Sequence, residues 1–203
     1  MNHPTIPAAL AALALGLGAA GCGEDGEAAG TDTATTTTAT TPAEVPEGVA
    51  AQYQQIEEEV EAEGGETQVG PWRIAYIVEP AEGWFEPRGG QLRWRPPAAG
   101  ETHHIEILPI EADTGRLVPD VPITLEVIDG SGRRVARERL RFYYAEFFHY
   151  AENLSIPEAG DYTLRATIAP PPFPRHGEEE EGPALPEGAS AEFEGVHLEP
   201  ELE

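Results

Sequence analysis

An antiparallel β-sandwich of immunoglobulin-like character is the fold that three features of this 203-residue chain predict. Short runs rich in aromatic and β-branched residues recur at near-regular spacing, about seven or eight in all. Several of them alternate apolar and polar side chains with the period of two that a half-buried strand requires. Between the runs, 22 glycines and 20 prolines supply turns, while long helix-periodic stretches are few.

The chain opens on a short run of Ala, Leu and Gly, Ile6 to Ala20, that ends in Ala19-Ala20-Gly21-Cys22. This resembles a bacterial lipoprotein signal, in which cleavage before the cysteine leaves it as the lipid-bearing first residue. The run is too short and too rich in glycine for a transmembrane helix. Residues 1–21 therefore read as a signal peptide, Cys22 as the lipidation site, and the folded part as lying outside the cytoplasm. Residues 22–48, with Thr35 to Thr38 uninterrupted, bury too little apolar surface to offset the entropy of ordering and read as a disordered tether. Over residues 49–68, Tyr53, Ile56 and Val60 have helical spacing among glutamates, so a short acidic helix ending near Gly64-Gly65 is expected. The glutamate run itself reads as a solvated face.

The sandwich is assigned to residues 69–203. Trp72 to Val78 reads as a strand, followed by the turn residues Glu79-Pro80 and Pro87-Arg88-Gly89-Gly90. Gln91 to Arg95 and Thr102 to Leu108 are the next strands. Val121 to Ile128, with Val121, Ile123, Leu125 and Val127 at every second position, is the clearest half-buried one. Asp129-Gly130-Ser131-Gly132 reverses the chain into Val135 to Phe148, where the charges thin out into Phe142-Tyr143-Tyr144-Ala145-Glu146-Phe147-Phe148-His149-Tyr150. Asp161 to Ala169 turns Tyr162, Leu164, Ala166 and Ile168 inward. Pro170 to Pro174 cannot pair in a central strand, which puts Arg175-His176 on a loop. Residues 177–188 read as an acidic loop and Ala191 to Leu198 as a last strand.

Composition excludes several functions. The chain carries 37 acidic against 12 basic residues, a formal charge of -25, and every basic residue is Arg. Nucleic acid and anionic lipid surfaces need cationic patches, so neither is expected as a partner, and contact with a membrane is expected only through the lipid on Cys22. One cysteine leaves no internal disulfide and no cysteine-rich metal site. There is no Gly-x-Ser-x-Gly elbow for a hydrolase, and no phosphate-cradling glycine loop follows a strand. A Cu,Zn superoxide dismutase would need more histidines and a disulfide. The chain does not read as an enzyme.

Chemistry concentrates in Thr102-His103-His104-Ile105-Glu106-Ile107-Leu108. Alternation puts His104 and Glu106 on one face, and His103, Ile105 and Ile107 on the core side. The other histidines beyond the signal region are His149, His176 and His197. An imidazole–carboxylate pair joined by imidazoles from two later segments would make a four-ligand site for a divalent transition metal. The competing reading of His104 and Glu106 is a solvated strand face. Ligating imidazoles give their second N–H to an acceptor, for which Glu146 and Glu152 are the candidates. His103 is expected inside and His197 at the surface.

Tyr76-Ile77-Val78-Glu79-Pro80, Glu86-Pro87-Arg88-Gly89, His104-Ile105-Glu106, His149-Tyr150-Ala151-Glu152-Asn153, Gly160-Asp161-Tyr162-Thr163-Leu164 and Arg175-His176 follow one another in that order. The ordered set resembles the periplasmic or lipid-anchored iron-transport proteins, immunoglobulin-like sandwiches that bind copper and other divalent metals beside a membrane iron permease. The resemblance implies that His104 and Glu106 are the family's His-x-Glu ligands, that His149 is the ligand of its His-Tyr motif, with Ala151 where glycine is usual, and that His176 is the ligand of its Arg-His motif. Where the family often adds a methionine, this chain has Phe142. A site without a thioether holds Cu(I) less well and leans towards Cu(II), Zn(II) or Fe(II).

The function expected from the sequence is thus a lipid-anchored extracytoplasmic protein that binds copper or iron, with zinc a further candidate, and delivers metal to a membrane iron permease. A homodimer is expected as in the resembled family, with Trp84 and Phe85 as exposed apolar residues. The runner-up is an immunoglobulin-like surface module for adhesion or scaffolding without a metal. Separation of His104, His149 and His176 onto unconnected faces would favour it.

Overall fold

The computed structural model describes residues 45–200. They begin with one helix, α1 (Glu47–Glu63), and continue through β1 (Gly64–Val69), β2 (Trp72–Pro80), β3 (Trp84–Arg88), β4 (Gln91–Arg95), β5 (His103–Glu111), β6 (Ile123–Asp129), β7 (Arg134–Arg139), β8 (Arg141–Tyr144), β9 (Phe148–Leu154), β10 (Gly160–Ile168) and β11 (Ala189–Leu198). The sheets run β1-β2-β5-β9-β8 and β11-β10-β6-β7, with β3-β4 as a separate hairpin. Every pairing is antiparallel.

Between the two large sheets lies one apolar layer. Ile74, Ile105, Ile107, Tyr150 and Leu154 enter it from one side, and Ile123, Leu125, Val127, Leu164, Ala166, Ile168, Phe193 and Val196 from the other. This is the sandwich that the period-two runs predicted. The elements start earlier than expected, however. The helix reaches back to Glu47, inside the stretch read as tether, and the sheet begins at Gly64 rather than near Val69. The added strand is Gly-led and polar, so it carries no apolar alternation of its own. It forms by pairing along β2, from Gly64 opposite Ile77 to Val69 opposite Trp72.

A smaller cluster on the outer face of the five-stranded sheet explains α1. Ile56 is 1 % exposed and packs with Ala75, Ile77, Leu108, Ile110 and Phe147, with Tyr53 and Val60 beside them. These are the helix-spaced residues of the sequence, while Glu57, Glu58 and Glu61 stay exposed. Arg73 ties the helix down, 2.8 Å from Glu57 and 3.0 Å from Glu66. With the sandwich core on one side and α1 on the other, β5 is buried from His103 to Ile110.

The passage from helix to strand demands a glycine for steric reasons. A Cβ on Gly64 would overlap the carbonyl oxygen of Tyr76, a backbone atom that cannot swing aside. Gly64→Ala should therefore lower unfolding stability by ~1–3 kcal/mol, as overpacking does, read from the midpoint of a urea melt. A midpoint unchanged from wild type would contradict the tight approach.

Gly89 and Gly90 have φ of 58° and 77°, the left-handed pair that a two-residue hairpin turn requires. They join Arg88 to Gln91, and the resulting β3–β4 hairpin overhangs β5 and β9. Ala81 at its base is bonded to the strand below, its N–H donating to the Thr102 carbonyl at 3.3 Å.

Candidate metal centre

Register positions the site. On β5, His104 faces Asn153 and Glu106 faces Ala151 of β9, so all four point to the same side of the sheet. His149 stands two residues before Ala151 on β9 and is therefore the diagonal neighbour of Glu106 on that face. The donor atoms of His104, Glu106 and His149 lie within 4.8 Å of one another. Nε2 of His104 is 3.8 Å, and Nε2 of His149 3.5 Å, from Oε1 of Glu106.

The competing sequence reading, a solvated face, is corrected by the covering elements. His104, Glu106 and His149 are 1 %, 4 % and 6 % exposed, with the β3–β4 hairpin lying over them and Tyr143 of the adjacent β8 flanking His149. What remains open is a cleft of about 590 Å³ whose wall includes Trp84, Trp94, Tyr143 and Tyr144 and reaches His104 and His149. Tyr143 stacks on His149, ring centres 5.5 Å apart and 11° from parallel, and meets Trp84 edge-on at 5.3 Å. Arg95 sits 4.0 Å over the Trp84 ring. The aromatic run around His149 thus builds a low-dielectric pocket.

Burial sets the charge state. It pushes the Glu106 carboxyl up to about 9, reinforced by the negative charges of Glu79, Glu59, Glu82 and Glu146. Burial, and then the neighbouring His104, hold the His149 imidazole down to about 4. Burial also raises Glu79 to about 7, helped by Glu82. Near pH 7 and without a cation the site therefore holds a neutral carboxylic acid beside a neutral His149.

Three buried atoms in this one spot have no hydrogen-bond partner among the described residues: Nε2 of His104, Oε2 of Glu106 and Nδ1 of His149. Each such orphan costs ~1–3 kcal/mol. A cation shared by the two Nε2 atoms and Oε1 of Glu106 would give the first of these orphans, Nε2 of His104, a partner. Around a four-coordinate ion with bonds of about 2.0–2.2 Å, donors sit about 3.3–3.6 Å apart, close to the 3.5 Å and 3.8 Å that separate the two Nε2 atoms from Oε1 of Glu106. Two nitrogens and one oxygen suit Cu(II), Zn(II) or Fe(II).

The other expected residues fall elsewhere. His176 lies, as read, on the loop after β10, but it is exposed and outside the three-residue group. His103 is buried on the core side with Nδ1 2.8 Å from the Thr102 hydroxyl. His197 is a surface residue whose Nδ1 is 2.9 Å from Asp161. The acceptor for His104 is neither Glu146, which is exposed, nor Glu152, which pairs with Arg141 at 2.7 Å. It is Asn153, whose Oδ1 is 2.8 Å from Nδ1 of His104. Cys22 and residues 1–44 lie outside the described residues.

Fold and site together define an antiparallel β-sandwich carrying a buried His–Glu–His centre able to hold a metal ion. A family model described as Fe2+ transport protein matches residues 101–196, a span that contains all four residues of the expected ligand set. The resemblance drawn from the ordered motifs is thus borne out over that span. Among solved structures, FetP of uropathogenic Escherichia coli strain F11 is similar with a TM-score of 0.51 and 24% identity, covering 68% of this chain and 96% of that one. The copper-reconstituted P19 protein of Campylobacter jejuni is similar with a TM-score of 0.51 and 23% identity, covering 67% and 96%. At these identities the likeness establishes the fold. No curated protein matches the chain.

Proposed function

We propose that this chain is an extracytoplasmic member of the iron-transport family that captures copper or iron and passes it to a membrane permease. The observation that carries the reading is the convergence of His104, Glu106 and His149 in one buried spot, with both Nε2 atoms within 3.8 Å of Oε1 of Glu106. The Fe2+ transport family match and the copper-bound P19 structure favour these ions. In this reading the chain is held at the membrane by a lipid on Cys22, the cysteine that ends the signal-like run. The chain binds and hands on its cargo without chemical conversion.

His176 enters as a donor from the surface, brought to the centre by movement of its loop or by a second copy. The exposed Phe85, Leu92, Trp94 and Tyr144 around the cleft form an apolar rim suited to such a homodimer. Water completes the remaining coordination.

Calorimetric titration with Cu(II), and with Fe(II) under anaerobic conditions, tests the site. The wild-type chain should bind one ion per monomer in the centre, and His104→Ala/His149→Ala should lose that event, a drop beyond ~100-fold for two lost ligands. His176→Ala should weaken binding less, and the loaded protein should sediment as a dimer. Equal affinity in the double variant would remove the metal reading and leave the surface module without a metal in its place.

A further inference from the structure

The two imidazoles of the centre are held in different ways. His149 is packed between rings, stacked on Tyr143 and met edge-on by Phe147 at 5.6 Å, and no side chain accepts from its Nδ1 among the described residues. His104 is gripped by a hydrogen bond to a side chain that is itself over-determined. Asn153 is 6 % exposed, and its Nδ2 donates to the Glu82 carbonyl at 2.7 Å and to the Glu101 carboxylate at 3.0 Å. Two acceptors on that side require the amide NH2 there, so the atom facing His104 is the oxygen. That oxygen also accepts the Glu82 N–H at 3.2 Å. Glu101 is fixed in turn by Arg95, 3.1 Å and 2.5 Å away through two nitrogens, and Arg95 lies against Trp84 of the hairpin. Burial opposes ionisation of Glu101, but Arg95, the Ala98 N–H and Asn153 outweigh it and hold the carboxyl down to about 2.

An amide oxygen can only accept, so Nδ1 of His104 must carry the proton. A neutral imidazole has one N–H, which leaves Nε2 with a bare lone pair pointing towards Glu106. We infer that Asn153 is the positioning residue of this centre. It holds His104 as the Nδ1–H tautomer, ready to donate through Nε2, and ties that ring to the Glu82 backbone at the base of the overhanging hairpin. The consequence for affinity rests on the metal reading above; the tautomer does not.

The test uses the full-length, 15N-labelled, metal-free protein at about pH 8 and reads imidazole tautomers from long-range proton–nitrogen spectra. His104 of the wild type should show a protonated Nδ1 and a bare Nε2. Asn153→Leu should give a mixture of tautomers. In Zn(II) titrations, Asn153→Leu should bind ~10–100-fold more weakly. An Nε2–H tautomer in the wild type would overturn the inference, and that measurement needs no variant to fold. So would a folded Asn153→Leu protein with wild-type tautomer and affinity. A wild type that shows the Nδ1–H tautomer but binds no Zn(II) would support the hold of Asn153 and overturn the metal reading.

Discussion

Zn(II) or Cu(II) should bind this protein about tenfold more tightly for each unit of pH gained between pH 6 and 8, about 100-fold in all, with roughly one proton released per ion. The proton comes from Glu106. Burial and the surrounding acids hold that carboxyl up to about 9, so below that pH an entering cation must displace its proton. His149, held down to about 4, contributes none. Glu79, raised to about 7, adds a fraction of a proton near neutrality when a cation lies close. Calorimetry in buffers of differing ionisation enthalpy counts the protons directly. Glu106→Gln should abolish most of the release and flatten the pH dependence. An affinity independent of pH in the wild type would mean that Glu106 is not a ligand.

The same residue sets how the metal-free protein responds to pH. The folded Glu106 keeps a proton that the unfolded chain loses above about 4.5, so stability falls as pH rises from there towards 9. His149 has the opposite sign. Its folded value of about 4 lies below the ordinary 6.5, so the unfolded chain binds the extra proton and stability rises across that window. The two oppose one another up to about pH 6.5, and only the decline remains above it. A bound cation reverses that decline by stabilising the carboxylate.

The alternation in His103 to Ile107 identified the correct face of β5, since a period of two follows from strand geometry alone. What covers that face was not legible. Ile56 had the spacing of a helix, but nothing in its sequence said that α1 would bury the outside of the same sheet. The β3 strand was hidden by Pro87 and by aromatic residues that remain partly exposed, and β1 by its two leading glycines. The partner of His104 was sought among glutamates because the chain is full of them. Asn153 sits four residues after His149, an even separation that puts both on one face, and this was the available signal. Only the register of β9 against β5 shows that Asn153 falls opposite His104. His176 was placed on its loop correctly, yet loop membership says nothing about where an imidazole ends.

Tyr150, one residue from His149, should matter as much for stability as its neighbour does for binding, and the two effects should separate cleanly. Its ring enters the core between the sheets, on the side opposite the metal centre. Its hydroxyl accepts the Val121 N–H at 2.9 Å and donates to the Val118 carbonyl at 3.1 Å, holding the segment that leads into β6. Tyr150→Phe leaves the packing in place but strands a buried donor and a buried acceptor, each costing ~1–3 kcal/mol, so a total of about 2–6 kcal/mol is expected. Denaturant melts read that loss from the midpoint at constant slope. Zn(II) affinity of the folded variant should stay within about twofold of wild type, because Glu106, His104 and His149 project from the other face and share no atom with the lost bonds. A variant of wild-type stability, or one that loses the metal while keeping the fold, would show that the alternation along β9 does not divide support from binding in this way.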